Sequence, residues 1–220
     1  APTPGTDVAG LTAVLPTLAE PAWRLRVFGQ VRLRSQPDRT DALDTADNTD
    51  NDRAIPQGQF SDRDLELLVY LALHPDGVSH EHLAADLWPD TVLPPATDPN
   101  TALTQLDAAL TSLTGQQTHP AAHAIRTSEH GHHQLNPRLV TNDYHDFTAA
   151  LAARRAATTP HQQATANSAL LGHYRGALAP DLHADWIDAL RRHAARAAIT
   201  AALDLAHYLE ERGDPDQAVA

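Results

Sequence analysis

The sequence predicts a mostly helical chain with a small β component, divided into two domains. Three observations carry this expectation. Ala-rich segments with sparse Gly and scattered Leu favour helix, and with 42% hydrophobic but only 5% aromatic residues the core must come mainly from Leu, Ala and Val. Apolar residues recur at helical spacing in three successive segments between 61 and 114, and again from 143 onward. Two short stretches, 23–34 and 124–135, carry the strand and turn signals.

Residues 1–22 are rich in Ala, Pro and Thr, and Pro4, Pro16 and Pro21 interrupt any pattern, so a linker or tail is expected. From Trp23 the chain alternates: Leu25, Val27, Val31 and Leu33 are apolar, while Arg24, Arg26, Arg32 and Arg34 are charged. With Gly29-Gln30 between the halves, this is one bulged strand or a tight hairpin. Residues 36–54 repeat Asp among Thr, Asn and Ala and offer nothing to bury, which predicts a disordered acidic insertion. A calcium loop fits poorly, because the stretch has neither the Gly nor the Glu such a loop needs.

Ser61 with Asp64 three residues on makes a capping box for a helix over 62–74, carrying Leu65, Leu68, Val69 and Ala72. Ser79 opens a second helix, 79–88, with Leu83 and Leu87 inward. Asp98-Pro99 starts a third over 99–114, in which Leu103, Leu106, Leu110 and Leu113 recur. Residues 124–135 read as a hairpin turning at a Gly-containing tip. Three helices followed by a hairpin are the order of a winged helix-turn-helix, whose third helix enters the major groove. Helices are expected next at about 143–155, 161–176 and 184–212, where Trp186 and Leu190 read as core and Ala194, Ala198, Ala201 and Ala202 permit close helix approach, as in a helical repeat. The expected division is a winged-helix domain at 23–140 and a helical repeat at 141–220.

Composition also excludes classes. There is no cysteine, hence no disulfide framework or thiolate metal site. No apolar run is long enough to span a membrane, and no signal peptide is visible. The chain starts at Ala1 and contains no Met, and 216–220 look like the opening turn of a further helix. A piece of a longer protein is therefore expected. No catalytic constellation is present: no nucleophile elbow, no H-E-x-x-H, no phosphate loop and no dinucleotide fingerprint. His80 and His82 sit at i, i+2, which places them on different sides of a helix. Neither a catalytic, a cofactor nor a metal site is expected.

Several segments resemble one family in order along the chain. Arg24-Leu25-Arg26-Val27-Phe28-Gly29, Leu67 to His74, and Val78-Ser79 through Leu83 to Leu87-Trp88 match its first domain. Asp143 to Leu151 with Phe147, His173-Tyr174-Arg175-Gly176-Ala177-Leu178, Trp186, and Leu209 to Pro215 match its second. The chain resembles the actinobacterial antibiotic-regulatory-protein family of transcriptional activators (SARP). The resemblance implies a response-regulator-type winged helix joined to a bacterial transcriptional activator domain similar to tetratricopeptide repeats. It also implies sequence-specific DNA binding. The expected location is cytoplasmic, with membrane attachment of a longer parent protein left open.

The charges point elsewhere. The net charge is -12, from 16 Lys+Arg, every one of them Arg, against 28 Asp+Glu. No cation lies between Arg63 and Arg126, a stretch that holds eight acids and the whole helix-turn-helix. Phosphate neutralisation needs Lys or Arg. The candidate recognition face, Asn100, Thr101, Thr104, Gln105, Ala108 and Thr111, is neutral, and the candidate wing offers Arg126, His130, His132, His133 and Arg138. The sequence therefore favours a non-enzymatic regulatory module that meets a protein partner, through the winged helix or the helical repeat. Duplex DNA is the alternative partner, with the neutral donors reading bases. A metal- or pH-responsive His tip is a weaker third possibility, since a solvated polar turn accounts for the same residues.

Overall fold

The computed structural model describes residues 23–35, 60–89, 98–113 and 123–213. The expected tail, the acidic insertion and the turn at 216–220 lie outside these residues. The fold is mostly helical, with two three-stranded sheets.

β1 (Trp23–Arg26) and β2 (Arg32–Ser35) form an antiparallel hairpin, with Leu25 opposite Leu33. The alternation at 23–34 thus resolves into a hairpin and not a bulged strand. Its tip turns at Gly29, whose φ of 81° is open to glycine without strain. A third strand, β6 (Val140–Asn142), pairs parallel with β1 and completes the order β2-β1-β6. No periodicity marks it, since three residues are too few to show one.

α1 (Asp62–Leu73) has the expected capping box, in which Ser61 Oγ accepts from the Asp64 N–H at 3.1 Å. Leu67 to Leu73 are all buried, well beyond one amphipathic stripe, because α1 is packed by several neighbours at once. Ser79 ends the two-residue strand β3 (Val78–Ser79) and caps α2 (His80–Leu87). α3 (Pro99–Leu113) turns Leu103, Leu106 and Leu110 inward. β4 (Ile125–Thr127) and β5 (His132–Leu135) make the expected hairpin, and β3 joins it in the order β3-β5-β4. The approach of β3 to β5 needs Gly77: its φ is 83°, and a Cβ there would lie 3.2 Å from the His132 Cβ.

Asn142 ends β6 and caps α4 (Asp143–Ala156), its Oδ1 accepting from the His145 N–H at 2.7 Å. Asp143, the first residue of α4, is buried and accepts from the Val27 N–H at 2.8 Å and the Phe28 N–H at 3.2 Å. α5 (Pro160–His173) ends three residues before the expected 176. Tyr174 leaves the helix to pack on Phe28, ring centroids 5.3 Å apart, and the chain turns so that Leu178 bridges to Phe28. Phe147 completes this aromatic group, 5.0 Å from Phe28.

The expected helix at 184–212 divides into a 3-10 turn (Asp185–Ile187) and α6 (Asp188–Glu211). The turn places Trp186 edge-on to Tyr70 of α1 at 4.8 Å, with Trp186 Nε1 donating to Glu66 at 3.2 Å. Arg191 secures the preceding loop by donating to the carbonyls of Leu178 (2.9 Å), Ala179 and Leu182 (2.7 Å). Ala194, Ala198 and Ala201 are buried as expected of a close helix approach, whereas Ala202 is exposed. Buried side chains from Trp23 to Ala201 form one hydrophobic cluster.

Candidate functional site

An open groove of about 630 Å³ runs between α3 and the β4–β5 wing. α3 reaches it because Leu106 and Leu110 hold its other side in the core, while Leu103 forms part of the groove wall. Asp107 ties the two walls together: its Oδ1 accepts from the Ile125 N–H at 2.9 Å, and its Oδ2 meets His123 Nδ1 at 2.7 Å. An acid that counts against DNA in the sequence is therefore occupied in holding the wing against the helix. In the sequence Asp107 is only one of the eight acids between Arg63 and Arg126, and nothing marks its tie to His123. They lie 16 residues apart with no intervening pattern to link them.

Of the expected recognition face, Asn100, Thr104, Gln105, Ala108 and Thr111 are exposed and Thr101 is half-buried. The groove gathers Asn100 and Thr104 with Arg126 and His133. Thr101, Gln105, Ala108, Thr111, His130, His132 and Arg138 do not line it. The Thr104 hydroxyl donates to the Asn100 carbonyl at 2.8 Å, so it is engaged by its own helix. Among the described residues, Arg126 is the one arginine that lines the groove. Others are engaged elsewhere: Arg24 pairs with Asp146 at 2.6 Å, Arg154 with Asp204 at 2.5 Å, and Arg63 lies 4.7 Å over the Trp88 ring.

The wing histidines are unequal. His133 is half-buried, touches Thr127 Oγ1 at 3.1 Å through Nδ1, and lies 6.3 Å from the His80 ring. Burial, and then the proximity of His80 and His132, pull its pKa below the usual 6.5. Unfolded chains therefore take up the proton first as pH falls. The stability tied to neutral His133 is present above 6.5 and is lost as pH drops towards the lowered folded value. His133→Gln should flatten the fall of Tm between about pH 7 and pH 5. Thermal melts across that range check it, and an unchanged slope would remove His133 from the acid response. Among the described residues, no three His, Asp or Glu side chains gather into a group that could hold a metal. None of the described helices is long and apolar enough to cross a membrane.

No protein-family model matches the chain, and neither does any curated protein sequence. Among solved structures it is similar to Mycobacterium tuberculosis EmbR in complex with a low-affinity phosphopeptide, with a TM-score of 0.61 and 16% identity. The match covers 89% of this chain and 47% of that one, so the chain spans about half the length of EmbR. At this identity the likeness is one of fold, a winged helix joined to a helical array.

Proposed function

We propose that this chain is a non-enzymatic regulatory module, similar to bacterial transcriptional activators of the SARP kind, whose winged helix meets a protein ahead of duplex DNA. The observation that carries this is the neutral outer face of α3, beside a groove that, among the described residues, has a single arginine. Non-specific DNA affinity comes from phosphate contacts made by Lys and Arg, and six to ten such contacts give a salt slope of about -5 to -9. Arg126 with one or two further arginines would give only about -2 to -3. EmbR, the structural neighbour, is described with a phosphopeptide, which supports a protein-derived partner for this chain too. In this proposal residues 23–140 act as the winged helix and 141–220 as a tetratricopeptide-like helical repeat.

A sequence-specific activator is the second reading. It is favoured by the exposed helix lying beside a hairpin, the geometry of a major-groove reader. Titrating the chain with a pool of random duplexes, from about 50 mM salt upward, separates the two. Weak binding with a shallow slope is expected. Sub-micromolar, sequence-selective binding with a steep slope would return the protein to the DNA-binding activators.

A further inference from the structure

A second, smaller cavity of about 170 Å³ lies between the first half of α5 and the last turns of α6. Gln163 and Asn167 line it from α5, and Asp204, His207, Tyr208 and Glu211 from α6. Asn167 is only 1% exposed, yet neither its Nδ2 nor its Oδ1 has a hydrogen-bond partner. Buried amides are almost always paired, so an amide left open at both ends calls for a reason.

Four of the other polar side chains around the cavity already have partners, and Gln163 stands exposed on its rim. Asp204 is held by Arg154, the Tyr208 hydroxyl meets His161 (3.3 Å) and Arg212 (2.8 Å), and His207 faces Glu211 at 3.3 Å. The buried hydrogen-bonding capacity left open there sits on Asn167, as a donor and an acceptor side by side. That pair does not suit a phosphate or carboxylate, which needs donors alone, or a cation, which needs acceptors alone. It matches one peptide unit, whose C=O and N–H are also a paired acceptor and donor. The polypeptide that would reach it has an apolar approach. One turn before His207, Leu203 is 67% exposed, and a turn further back Ile199 is 61% exposed.

We propose that this cavity binds the main chain of an extended peptide, with Asn167 pairing to one peptide unit while Leu203 and Ile199 seat adjoining apolar side chains. The site is separate from the α3–wing groove and does not rest on what that groove binds.

Random dodecapeptides displayed on phage are panned on the whole chain, and enriched peptides are synthesised and titrated calorimetrically. Enrichment of apolar-containing peptides is expected, with binding weakened about tenfold or more by Asn167→Leu. Removing an unpaired buried amide should at the same time raise Tm by about 2–6 °C. Gln163→Trp, at an exposed position on the rim, should block binding and leave Tm unchanged. Failure to enrich any peptide, or binding that survives Asn167→Leu, would overturn the proposal. So would a lower Tm or a failure to fold in Asn167→Leu, since the amide would then be a structural group, held by bound water for example.

Discussion

Replacing Thr104, Ala108 and Thr111 together with Arg is expected to steepen the salt dependence of binding to random duplex DNA by about 2.7 log units per log unit of salt. Each phosphate contact contributes about 0.9 to that slope, and the three positions are exposed on the outer side of α3. The fold should tolerate the change. Arg is a better helix former than Thr, and the Thr104 hydroxyl serves only the Asn100 carbonyl of its own helix. The comparison is between salt titrations of the substituted and unsubstituted chains. If the slope stays the same while the circular dichroism stays helical, this face does not reach the duplex in any docked pose. A steep slope in the unsubstituted chain would show that arginines elsewhere already supply the contacts.

The second large effect is on stability. Asp143→Ala should cost about 2–3 kcal/mol, since it strips the acceptor from two buried N–H groups, those of Val27 and Phe28. In a chain of this size that is a Tm lower by roughly 4–12 °C. One effect opposes it. Burial pushes the Asp143 carboxyl above its ordinary 3.8, against the two N–H groups and Arg24, which lower it. A raised folded pKa means that the stability tied to this titration is fully present below 3.8 and is lost as pH rises through the folded value. The unpaired donors outweigh that gain at neutral pH, because two desolvated N–H groups would be left with no partner at all. Denaturant unfolding at pH 7 decides it. A loss under about 1 kcal/mol would mean that the carboxylate's desolvation nearly cancels its bonds.

Helix positions were legible wherever a cap and an apolar period coincided. Ser61 with Asp64, Ser79, and Asp98-Pro99 each placed a helix start to within a residue or so of where it lies. What stayed hidden was non-local. β6 and β3 are two or three residues long and exist because β1 and β5 offer them an edge. The early end of α5 at His173 coincides with the packing of Tyr174 on Phe28, two residues far apart in the chain. Phe28, Phe147, Tyr174 and Trp186 were each conspicuous as single residues. That the first three would meet in one cluster was not readable from any of them. The same holds at the sites: the neutral face of α3 was readable from spacing alone, whereas the Asp107–His123 tie and the unpaired amide of Asn167 depend on what packs against them.

The parallel pairing of β1 with β6 has a kinetic side. The β1–β2 hairpin is the first described element of the chain, but its edge partner begins at Val140, the carboxylate that accepts from Val27 and Phe28 is Asp143, and its tip bridges to Leu178. At synthesis rates of about 5–20 residues per second, roughly 6–25 seconds separate the emergence of Trp23 from that of Val140. Contacts of such long range also raise the contact order of a chain that is otherwise rich in fast local helices. Helices α1 to α3 can form as they leave the ribosome, whereas the hairpin waits for α4 and the loop beyond α5. During that interval Leu25, Val27 and Leu33, all buried in the finished fold, lie open to other chains.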